Sequence, residues 1–582
     1  MTASADNPRH GLLETLAGWP LFAGMQGPAL AALVESLALL VVHGGEMLFD
    51  QDEEADAVYL LLHGRMAALR QDADGRRRSL GTMAPGECVG EIGLIAGEIR
   101  PTRFARVVAL RDCELARLGR ADFERLMAAW PQAMLGMARL ALRRFYGTRG
   151  RPEAVHCVAV LAAAQGVDAV GFARRLSATL AATASAELLD AGLAAGQPTS
   201  WFSEREAAVD HLVYVGNEDR DWRTRCIRQS DVVLLLVDGD RAPADDPPRP
   251  PERISEEIPH HLVLVRAQAP RAGVCAAWRR VYPHVAAHHH VRHDEDLRSL
   301  VRRLTGRARG LVLSGGGARG FAHLGVIRAL REAGMDIDHV GGNSIGAIVG
   351  AGLAADWSDA RMLETYREHF VLSNPLGDWT LPLVALRSGR RVSRRLRAAF
   401  GELDIDDLPR PFFCVSSDLT AGMLHVHEDG PLWPALRASS AIPGVLPPVL
   451  SGGRVLVDGG VIDNLPVQAM GARLSGDIVA VDVGGSYRLD TDIEETELPP
   501  WWRLLGELFA TRRRPGLKQI LLRAGMVNSE ATTQRRQKQT TLLIKPALDD
   551  VELLDWRAYD RVIELGYVHA CRALEAAAGK SS

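Results

Sequence analysis

Short runs of alternating apolar and polar residues fill the first quarter of the chain. MLFDQ after Gly44-Gly45, AVYLLLHG and MAALRQ each predict a strand, and Asp74-Gly75 before RRRSLG is a pair typical of a hairpin turn. Towards Phe145 the apolar residues fall at helical spacing instead. This pattern predicts an N-terminal β-roll with flanking helices over residues 1–148.

Apolar strands then alternate with helical stretches over residues 149–305. VHCVAVLAAA, HLVYVG, DVVLLLVDGD and HLVLVRA have the composition of buried strands, and FARRLSATLAA has helical spacing. Such alternation predicts a small α/β domain with a parallel sheet. The proline-rich stretch PADDPPRPPERISEE, which begins at Pro243, predicts a long surface loop because proline cannot continue a helix or a central strand.

A histidine cluster near the end of this region raises the question of a metal site. Its members are His284, His288, His289, His290 and His293. Consecutive residues of a strand alternate in direction, and no carboxylate at ligand spacing accompanies the histidines. We expect a solvated loop or strand edge here, and no bound metal.

Length and composition set the class of protein. A chain of 582 residues is too long for one hydrophobic core, and 47% hydrophobic with 24% charged residues is typical of globular domains. The net charge of −4 gives no general attraction to nucleic acid. The seven scattered cysteines, the N-terminus without a signal pattern and the absence of a long apolar run lead us to expect a cytoplasmic protein.

A glycine-rich turn at residues 310–320 opens the third region, residues 306–582. GLVLSGGGARG joins an apolar strand to the helical stretch FAHLGVIRALREAG, and its glycines can present successive backbone amides to an anion. The spacing Gly315-x-Gly317-x-x-Gly320 also fits a dinucleotide-binding turn. That alternative requires an acidic residue about 20 residues on, and DHVGGNSIGAIVG stands there instead.

The sequence Gly342-Asn343-Ser344-Ile345-Gly346 matches a G-x-S-x-G nucleophile elbow between a strand and a helix. Small residues two positions either side of the serine leave room for the tight turn. A serine hydroxyl needs a base, and Asp458 follows the strand RVLV and precedes Gly459-Gly460. The one histidine after it, His569, lies in a helical pattern and is expected to be structural.

GGGARG, GNSIG and DGG in this order, with RASSAIPGVLPPV before the last, resemble the patatin-like phospholipase family. The resemblance implies a three-layer α/β/α hydrolase in which Ser344 is the nucleophile and Asp458 the base. It assigns the oxyanion hole to the glycine loop, with the amides of Gly315, Gly316 and Gly317 and that of Ala318 as candidates, Arg319 as the residue that orients the loop and Gly320 as its end. No cofactor is implied.

Residues 86–97, GECVGEIGLIAG, resemble the phosphate-binding cassette of cyclic-nucleotide-binding domains. The candidate phosphate contacts are Gly90, Glu91, Arg100 and Arg103. That family follows the cassette with Pro-Arg, whereas this chain has Arg100-Pro101 and then Phe104 and Arg106 where small groups are usual. We therefore favour a β-roll kept as a docking module over a cyclic-nucleotide sensor.

Together the three regions resemble neuropathy target esterase and its bacterial relatives. The resemblance implies lysophospholipids or phospholipids as substrates, cut at an acyl ester to release a fatty acid. Residues 501–540 carry nine Lys/Arg against two Glu, with Trp501, Leu504, Leu505 and Leu508 at helical spacing. This segment is a candidate for peripheral membrane contact, or for a helix packed on the enzyme. A cyclic-nucleotide sensor, and a thioesterase or peptidase with the same dyad, are the alternative functions.

Overall fold

The computed structural model describes residues 8–22, 25, 27–72, 74, 75, 77–95, 102–131, 137, 139, 155–244, 258–373, 376–381, 383–484, 497, 499, 500 and 539–581. The chain divides into two compact units. The first consists of Met1–Asp238, Pro243–Val263 and Val281–His288, and the second of Gly239–Ala242, Leu264–Arg280 and His289–Ser582. The predicted loop after Pro243, over residues 245–257, and the basic segment at 501–538 lie outside the described residues.

The N-terminal part of the first unit is built on two antiparallel four-stranded sheets, in the orders β1-β8-β3-β6 and β2-β7-β4-β5. Alternate side chains of β3 face two apolar clusters, with Leu60 in one and Leu61 in the other. The predicted β-roll is confirmed. Its strands are β1 (Ala38–Val42), β2 (Met47–Phe49), β3 (Ala57–His63), β4 (Met66–Gln71), β5 (Arg77–Met83), β6 (Cys88–Val89), β7 (Arg106–Ala109) and β8 (Cys113–Gly119).

A six-stranded sheet follows, in the order β10-β11-β9-β12-β13-β14, and β9 pairs in parallel with both β11 and β12. The parallel α/β arrangement predicted from the alternating pattern is confirmed. The helix Ala169–Ala181 begins after Asp168, whose side chain accepts a hydrogen bond from the amide of Gly171. The strands are β9 (Cys157–Ala162), β10 (Ala186–Leu189), β11 (His211–Val215), β12 (Val232–Asp238), β13 (His260–Val265) and β14 (Ala287–Val291).

The histidine cluster is only partly as expected. His288, His289 and His290 lie on β14, which ends the order of the sheet, but His289 and His290 are buried rather than solvated. Burial of an imidazole is tolerable where its nitrogens find partners, and Nε2 of His290 lies 2.7 Å from the carbonyl oxygen of Asp406.

The second unit is built on an eight-stranded sheet in the order β19-β20-β17-β16-β15-β21-β22, with β18 added beside β17. The central strands β17, β16, β15, β21 and β22 run parallel, whereas β18 and β20 run antiparallel to β17. The strands are β15 (Arg309–Leu313), β16 (His339–Asn343), β17 (Phe412–Asp418), β18 (Met423–His427), β19 (Val449–Ser451), β20 (Arg454–Asp458), β21 (Asp477–Val481) and β22 (Leu542–Ile544).

Both faces of this sheet are covered. Leu311 and Leu313 of β15 join one apolar cluster, and Val312 between them joins another. A parallel sheet buried on both faces is the arrangement expected of a layered α/β domain. The mixed α/β fold class predicted from the sequence is confirmed.

The helices of the described residues connect these strands. None of those searched is both long enough and apolar enough to cross a bilayer. In chain order they are Pro8–Ala17, Gly27–Ser36, Glu91–Ile95, Arg120–Ala129, Ala169–Ala181, Ala191–Ala194, Thr199–Ala208, Arg220–Arg228, Val274–Val281, Asp294–Leu304, Ala322–Glu332, Ile345–Ala354, Asp359–Tyr366, Arg390–Phe400, Leu432–Ser439, Val467–Gly471 and Tyr559–Ser581.

Candidate active site

Ser344 occupies the turn between β16 and the helix Ile345–Ala354, at the carboxyl end of a central parallel strand. Its backbone has φ 53° and ψ −124°, a conformation that residues with a side chain rarely adopt. The helix begins directly after Ser344, so the positive end of its dipole lies beneath the hydroxyl. Ser344 retains 7% of its surface exposed. This is the geometry expected of a nucleophile elbow.

The two glycines of the elbow have no room for a side chain. A Cβ atom on Gly342 would lie 2.8 Å from the amide nitrogen of Ala347, and one on Gly346 would lie 2.5 Å from the carbonyl oxygen of Ser314. Both contacts are with backbone, which cannot move aside cheaply. The spacing G-x-S-x-G is therefore a steric requirement of this turn.

Asp458 is the last residue of β20, and its side chain is buried beside Ser344. Its carboxylate accepts hydrogen bonds from the amide of Gly460 at 2.8 Å and from Nδ2 of Asn343 at 3.1 Å. Burial raises the pKa of Asp458 above its ordinary value, and the nearby donors Gly460, Ser344 and Asn343 partly offset that effect. A buried carboxylate that contacts a serine hydroxyl can act as a general base.

Asn343 and Asn464 link the three motifs to one another. Nδ2 of Asn343 donates to Asp458 and, at 3.0 Å, to Oδ1 of Asn464. Asn464 in turn accepts from the amide of Gly315 at 3.2 Å and donates to its carbonyl oxygen at 3.1 Å. In the sequence Asn343 lies inside GNSIG and Asn464 lies shortly after DGG, and neither was predicted to have a role. Their positions within the motifs were the available signal.

Ser439 is a further residue that sequence reasoning missed. Its hydroxyl oxygen accepts a hydrogen bond of 2.9 Å from the amide of Ser344, which fixes the strained turn. Two residues later the carbonyl oxygen of Ala441 accepts from the amide of Asp458 at 3.0 Å. The segment RASSAIPG therefore supports both members of the predicted dyad.

The glycine loop offers fewer open amides than the sequence suggested. The amide of Gly315 is bonded to Asn464, and the amide of Ala318 donates to the carbonyl oxygen of Leu553 at 2.7 Å. Within the described part of the chain no acceptor is hydrogen-bonded to the amides of Gly316 and Gly317. Of the expected donors Gly315 to Ala318, the two outer amides are thus engaged by internal acceptors, and the two central ones are the candidates that remain open.

Contacts with the rest of the second unit hold this loop in place. Nε of Arg319 donates to the carbonyl oxygen of Val551 at 2.6 Å, as expected of a residue that orients the loop. Gly320 lies so close to the nucleophile helix that a Cβ atom would come within 2.7 Å of Cγ1 of Ile345. Across the site, a Cβ atom on Gly459 would lie 2.5 Å from Oδ1 of Asn343. The glycines at both places allow the loops to meet.

Among the described residues no histidine hydrogen-bonds to Ser344 or Asp458. His569 lies 2.8 Å from the carbonyl oxygen of Leu565 in its own helix. His323 is buried against the carbonyl oxygen of Ser314, and burial lowers its pKa to about 4. Both imidazoles have structural surroundings, so Asp458 is the candidate base beside the serine.

The candidate phosphate site of the β-roll has a different character. Arg103 is 2% exposed, and its guanidinium donates to the carbonyl oxygen of Ala57 at 2.8 Å, to that of Gly90 at 3.2 Å and to Asp56 at 2.8 Å. It also lies 4.1 Å from the ring centroid of Phe49. The cation that would meet a phosphate is therefore already neutralised by a carboxylate.

Two other members of that candidate site have different outcomes. Glu91 is buried at the start of the short helix Glu91–Ile95 and lines a small apolar cavity together with Gly90 and Arg103. Arg100 lies outside the described residues. The β-roll therefore retains the outline of a ligand cavity, with its arginine turned to internal acceptors.

Three protein families match consecutive parts of the chain. The cyclic nucleotide-binding domain matches residues 39–129, the neuropathy target esterase family P-loop like domain residues 154–309, and the patatin-like phospholipase family residues 311–470. The order of the three matches is the order predicted from the sequence.

Whole-chain comparison finds curated relatives. An uncharacterized NTE family protein of Mycobacterium tuberculosis is 31% identical over 578 residues, which are 96% of this chain and 95% of that protein. Neuropathy target esterase sws of Drosophila melanogaster is 28% identical, over 92% of this chain and 42% of its own length. Human patatin-like phospholipase domain-containing protein 6 is 27% identical, over 90% of this chain and 44% of its own length.

Proposed function

Because the chain belongs to the NTE family and carries a patatin-like phospholipase domain, we propose that it hydrolyses an acyl ester of membrane lysophospholipids or phospholipids and releases a fatty acid. Ser344 is the nucleophile and Asp458 the general base. The observation that carries the proposal is the strained turn that holds Ser344 beside the buried Asp458 carboxylate, whose pKa the serine hydroxyl lowers, with no histidine partner among the described residues.

The reaction runs in two balanced halves. Oγ of Ser344 attacks the ester carbonyl carbon while its proton passes to Asp458, and the amides of Gly316 and Gly317 are the donors available to the oxyanion. Collapse of the tetrahedral intermediate breaks the bond to the alcohol, which takes the proton from Asp458. Water then attacks the acyl-enzyme and gives a proton to Asp458, and Ser344 recovers it as the fatty acid leaves.

The raised pKa of Asp458 suits this cycle. A carboxylate with an ordinary pKa is a weak base at neutral pH, whereas burial strengthens its affinity for the serine proton. The hydrogen bonds from Gly460 and Asn343 keep the ionised form accessible. Asp458 can therefore accept a proton and return it within one turnover.

Ser344→Ala tests the proposal directly. Wild type and variant are incubated with a panel of lysophosphatidylcholine, phosphatidylcholine, acyl-CoA and peptide, and the products are identified by mass spectrometry. We expect fatty acid from the lipids with wild type, at least about a 10⁴-fold lower rate with the variant, and loss of labelling by a fluorophosphonate. Ser358→Ala, which removes only a helix N-cap, is the matched control.

Two results would contradict the proposal. Equal turnover by Ser344→Ala would remove Ser344 from the reaction. Turnover of acyl-CoA or peptide in preference to every lipid would leave the dyad in place but replace lipid hydrolysis with thioesterase or peptidase activity.

A further inference from the structure

Residues 378–381 and 383–388 form the two sides of a hairpin with an apolar tip, which we call the apolar hairpin. Trp379 and Arg387 pair as an isolated antiparallel bridge, and the amide of Thr380 donates to the carbonyl oxygen of Leu386 at 3.3 Å. Four of its side chains are exposed although they are large and apolar: Trp379 by 71%, Leu381 by 72%, Leu383 by 84% and Val384 by 69%. Such a concentration on one short segment marks an interaction surface.

The base of the apolar hairpin is fixed. Asp378 accepts hydrogen bonds from the hydroxyl of Ser388 at 2.7 Å and from the amide of Arg391 at 3.1 Å, and its carbonyl oxygen accepts from the amide of Ser388 at 2.9 Å. The guanidinium carbon of Arg387 lies 3.2 Å from the ring centroid of Trp379. A hydrogen-bonded stem therefore supports the exposed tip.

The stem is bonded to the loop that supports the dyad. The amide of Leu386 donates to the carbonyl oxygen of Gly444 at 3.0 Å, and the amide of Arg387 donates to that of Val445 at 3.0 Å. A few residues earlier in the same loop, Ser439 and Ala441 accept from the amides of Ser344 and Asp458.

One short stretch of backbone therefore connects the apolar hairpin with the candidate active site. Residues 439–445 join the apolar hairpin to both candidate catalytic residues.

Positive charge lies directly after the apolar hairpin. The helix Arg390–Phe400 buries Val392, Leu396 and Phe400 on one side. Its exposed arginines are Arg390, Arg391, Arg394 and Arg397. Arg397 pairs with Glu402, and the other three add cationic charge to the helix that follows the stem. Apolar side chains next to a row of cations match the acyl region and the anionic headgroups of a phospholipid surface.

We propose that the apolar hairpin inserts into an anionic phospholipid surface while the arginines of the helix Arg390–Phe400 bind its headgroups. The proposal rests on the proposed lipid hydrolysis for its purpose, because the bonded stem would bring the lipid surface next to Ser344. The proposed insertion does not involve the basic segment at residues 501–538. Charge complementarity and continuity with the dyad favour a lipid occupant over a protein partner.

Vesicle binding tests the proposal without catalysis. Full-length Ser344→Ala protein, which leaves lipid intact, is sedimented with phosphatidylcholine vesicles that contain either no anionic lipid or about 30% phosphatidylglycerol. The tip variant carries Leu381→Ser, Leu383→Ser and Val384→Ser. The control variant carries Val41→Ser, Val170→Ser and Leu193→Ser, which are also large apolar residues exposed in the first unit. We expect the tip variant to bind anionic vesicles at least about tenfold more weakly, and the control to bind like the parent.

A fluorescent label reports insertion itself. Six of the seven cysteines are buried and Cys571 is half-buried, so a dye directed at Leu383→Cys labels that site preferentially. Its emission should shift to the blue when anionic vesicles are added, and a label at Leu193→Cys should not shift.

Several outcomes separate this proposal from the proposed function. The tip substitutions in the active enzyme should reduce hydrolysis of vesicle lipid at least about tenfold and leave that of a soluble p-nitrophenyl ester unchanged. Vesicle binding with no esterase activity in any assay would leave this inference standing and defeat the lipid hydrolase. Esterase activity with a tip variant that binds vesicles like its parent would overturn this inference. A dimer that the tip variant dissociates, with vesicle binding unchanged, would assign the surface to a second copy of the chain.

Discussion

The two candidate anion sites of this protein differ in what their donors already bind. In the β-roll, the guanidinium of Arg103 is engaged by Asp56 and two backbone carbonyls, and it stacks on Phe49. In the glycine loop, the amides of Gly316 and Gly317 have no hydrogen-bonded acceptor among the described residues. Both regions keep the outline of an anion site. The two open amides of the second can bind a developing negative charge without breaking an internal bond, whereas Arg103 is engaged by internal acceptors.

The contrast shows why a family match does not by itself establish a ligand. A buried arginine paired with a carboxylate is a structural element, and a phosphate could bind it only by displacing that carboxylate. The amides of Gly316 and Gly317 have no such competitor among the described residues. The comparison therefore predicts that changes in the hydrolase region alter catalysis and changes at Arg103 alter stability.

Asp458→Asn should give the largest effect in the hydrolase region. The amide can still accept from Gly460 but cannot take the proton of Ser344, so we expect kcat for ester hydrolysis to fall by about 10⁴-fold with the fold intact. Steady-state kinetics and circular dichroism check this. Asp560→Asn, an exposed carboxylate paired with Arg367, is the control and should keep full activity. A loss below tenfold would show that another group serves as base.

Gly316→Ala should have the next largest effect. A Cβ atom there would lie 2.7 Å from Cγ2 of Val483, so the amide must move away from its present direction. We expect kcat to fall by about 10²- to 10³-fold with KM little changed, as for loss of one oxyanion donor. Gly27→Ala, where a Cβ atom meets nothing within 4 Å, is the control. Unchanged kcat would mean that the Gly316 amide does not stabilise the oxyanion.

Arg103→Ala should destabilise the β-roll and leave the chemistry unchanged. The carbonyls of Ala57 and Gly90 and the carboxylate of Asp56 would lose their donor, at a cost of roughly 3 kcal/mol in the free energy of unfolding. Urea denaturation of the full chain measures the loss, and kcat on a soluble ester should stay within twofold of wild type. If calorimetry showed that wild type binds cyclic AMP at micromolar concentration, the conclusion that Arg103 is structural would be contradicted. Arg103 would then have to release Asp56 to bind the phosphate.

The pH dependence of stability gives the smallest effect. The pKa of Asp458 in the folded protein lies above its ordinary value of 3.8, so its ionisation favours the unfolded chain. The stability that its protonated form contributes is complete below the unfolded pKa and is lost as pH rises through the raised one. Asp458→Asn should therefore raise the unfolding temperature by roughly 2 °C or more at pH 8, with little gain near pH 4. Thermal unfolding at the two pH values checks the sign.

Contiguous motifs made part of this site predictable. The glycines around Ser344 are needed by a turn of five neighbouring residues, so their spacing alone indicates the elbow. The engagement of Gly315 by Asn464, by contrast, joins residues 149 positions apart, and the bond between Asn343 and Asn464 spans 121. A linear pattern carries no information on such pairs, which is why the loop was predicted to have more open amides than it has.

Orientation was the other quantity that the sequence could not supply. Arg103 was predicted as a phosphate contact from its residue type, but its direction depends on Asp56, 47 positions earlier. The exposed tip at Leu381, Leu383 and Val384 reads in the sequence as one more apolar run. Whether such a run is core or surface depends on what packs over it, and only the fold decides that.

The asparagine pair that joins Asp458 to Gly315 has a consequence for protein engineering and for evolution. Asn343 and Asn464 each contact a motif other than their own. We therefore expect the glycine loop, the elbow and the aspartate turn to be compatible only when they come from the same parent sequence. A chimera whose crossover falls between residues 345 and 457 takes the two groups of motifs from different parent proteins. We expect the effects of such exchanges on activity to be strongly non-additive. Exchanges made upstream of residue 309 keep the module whole.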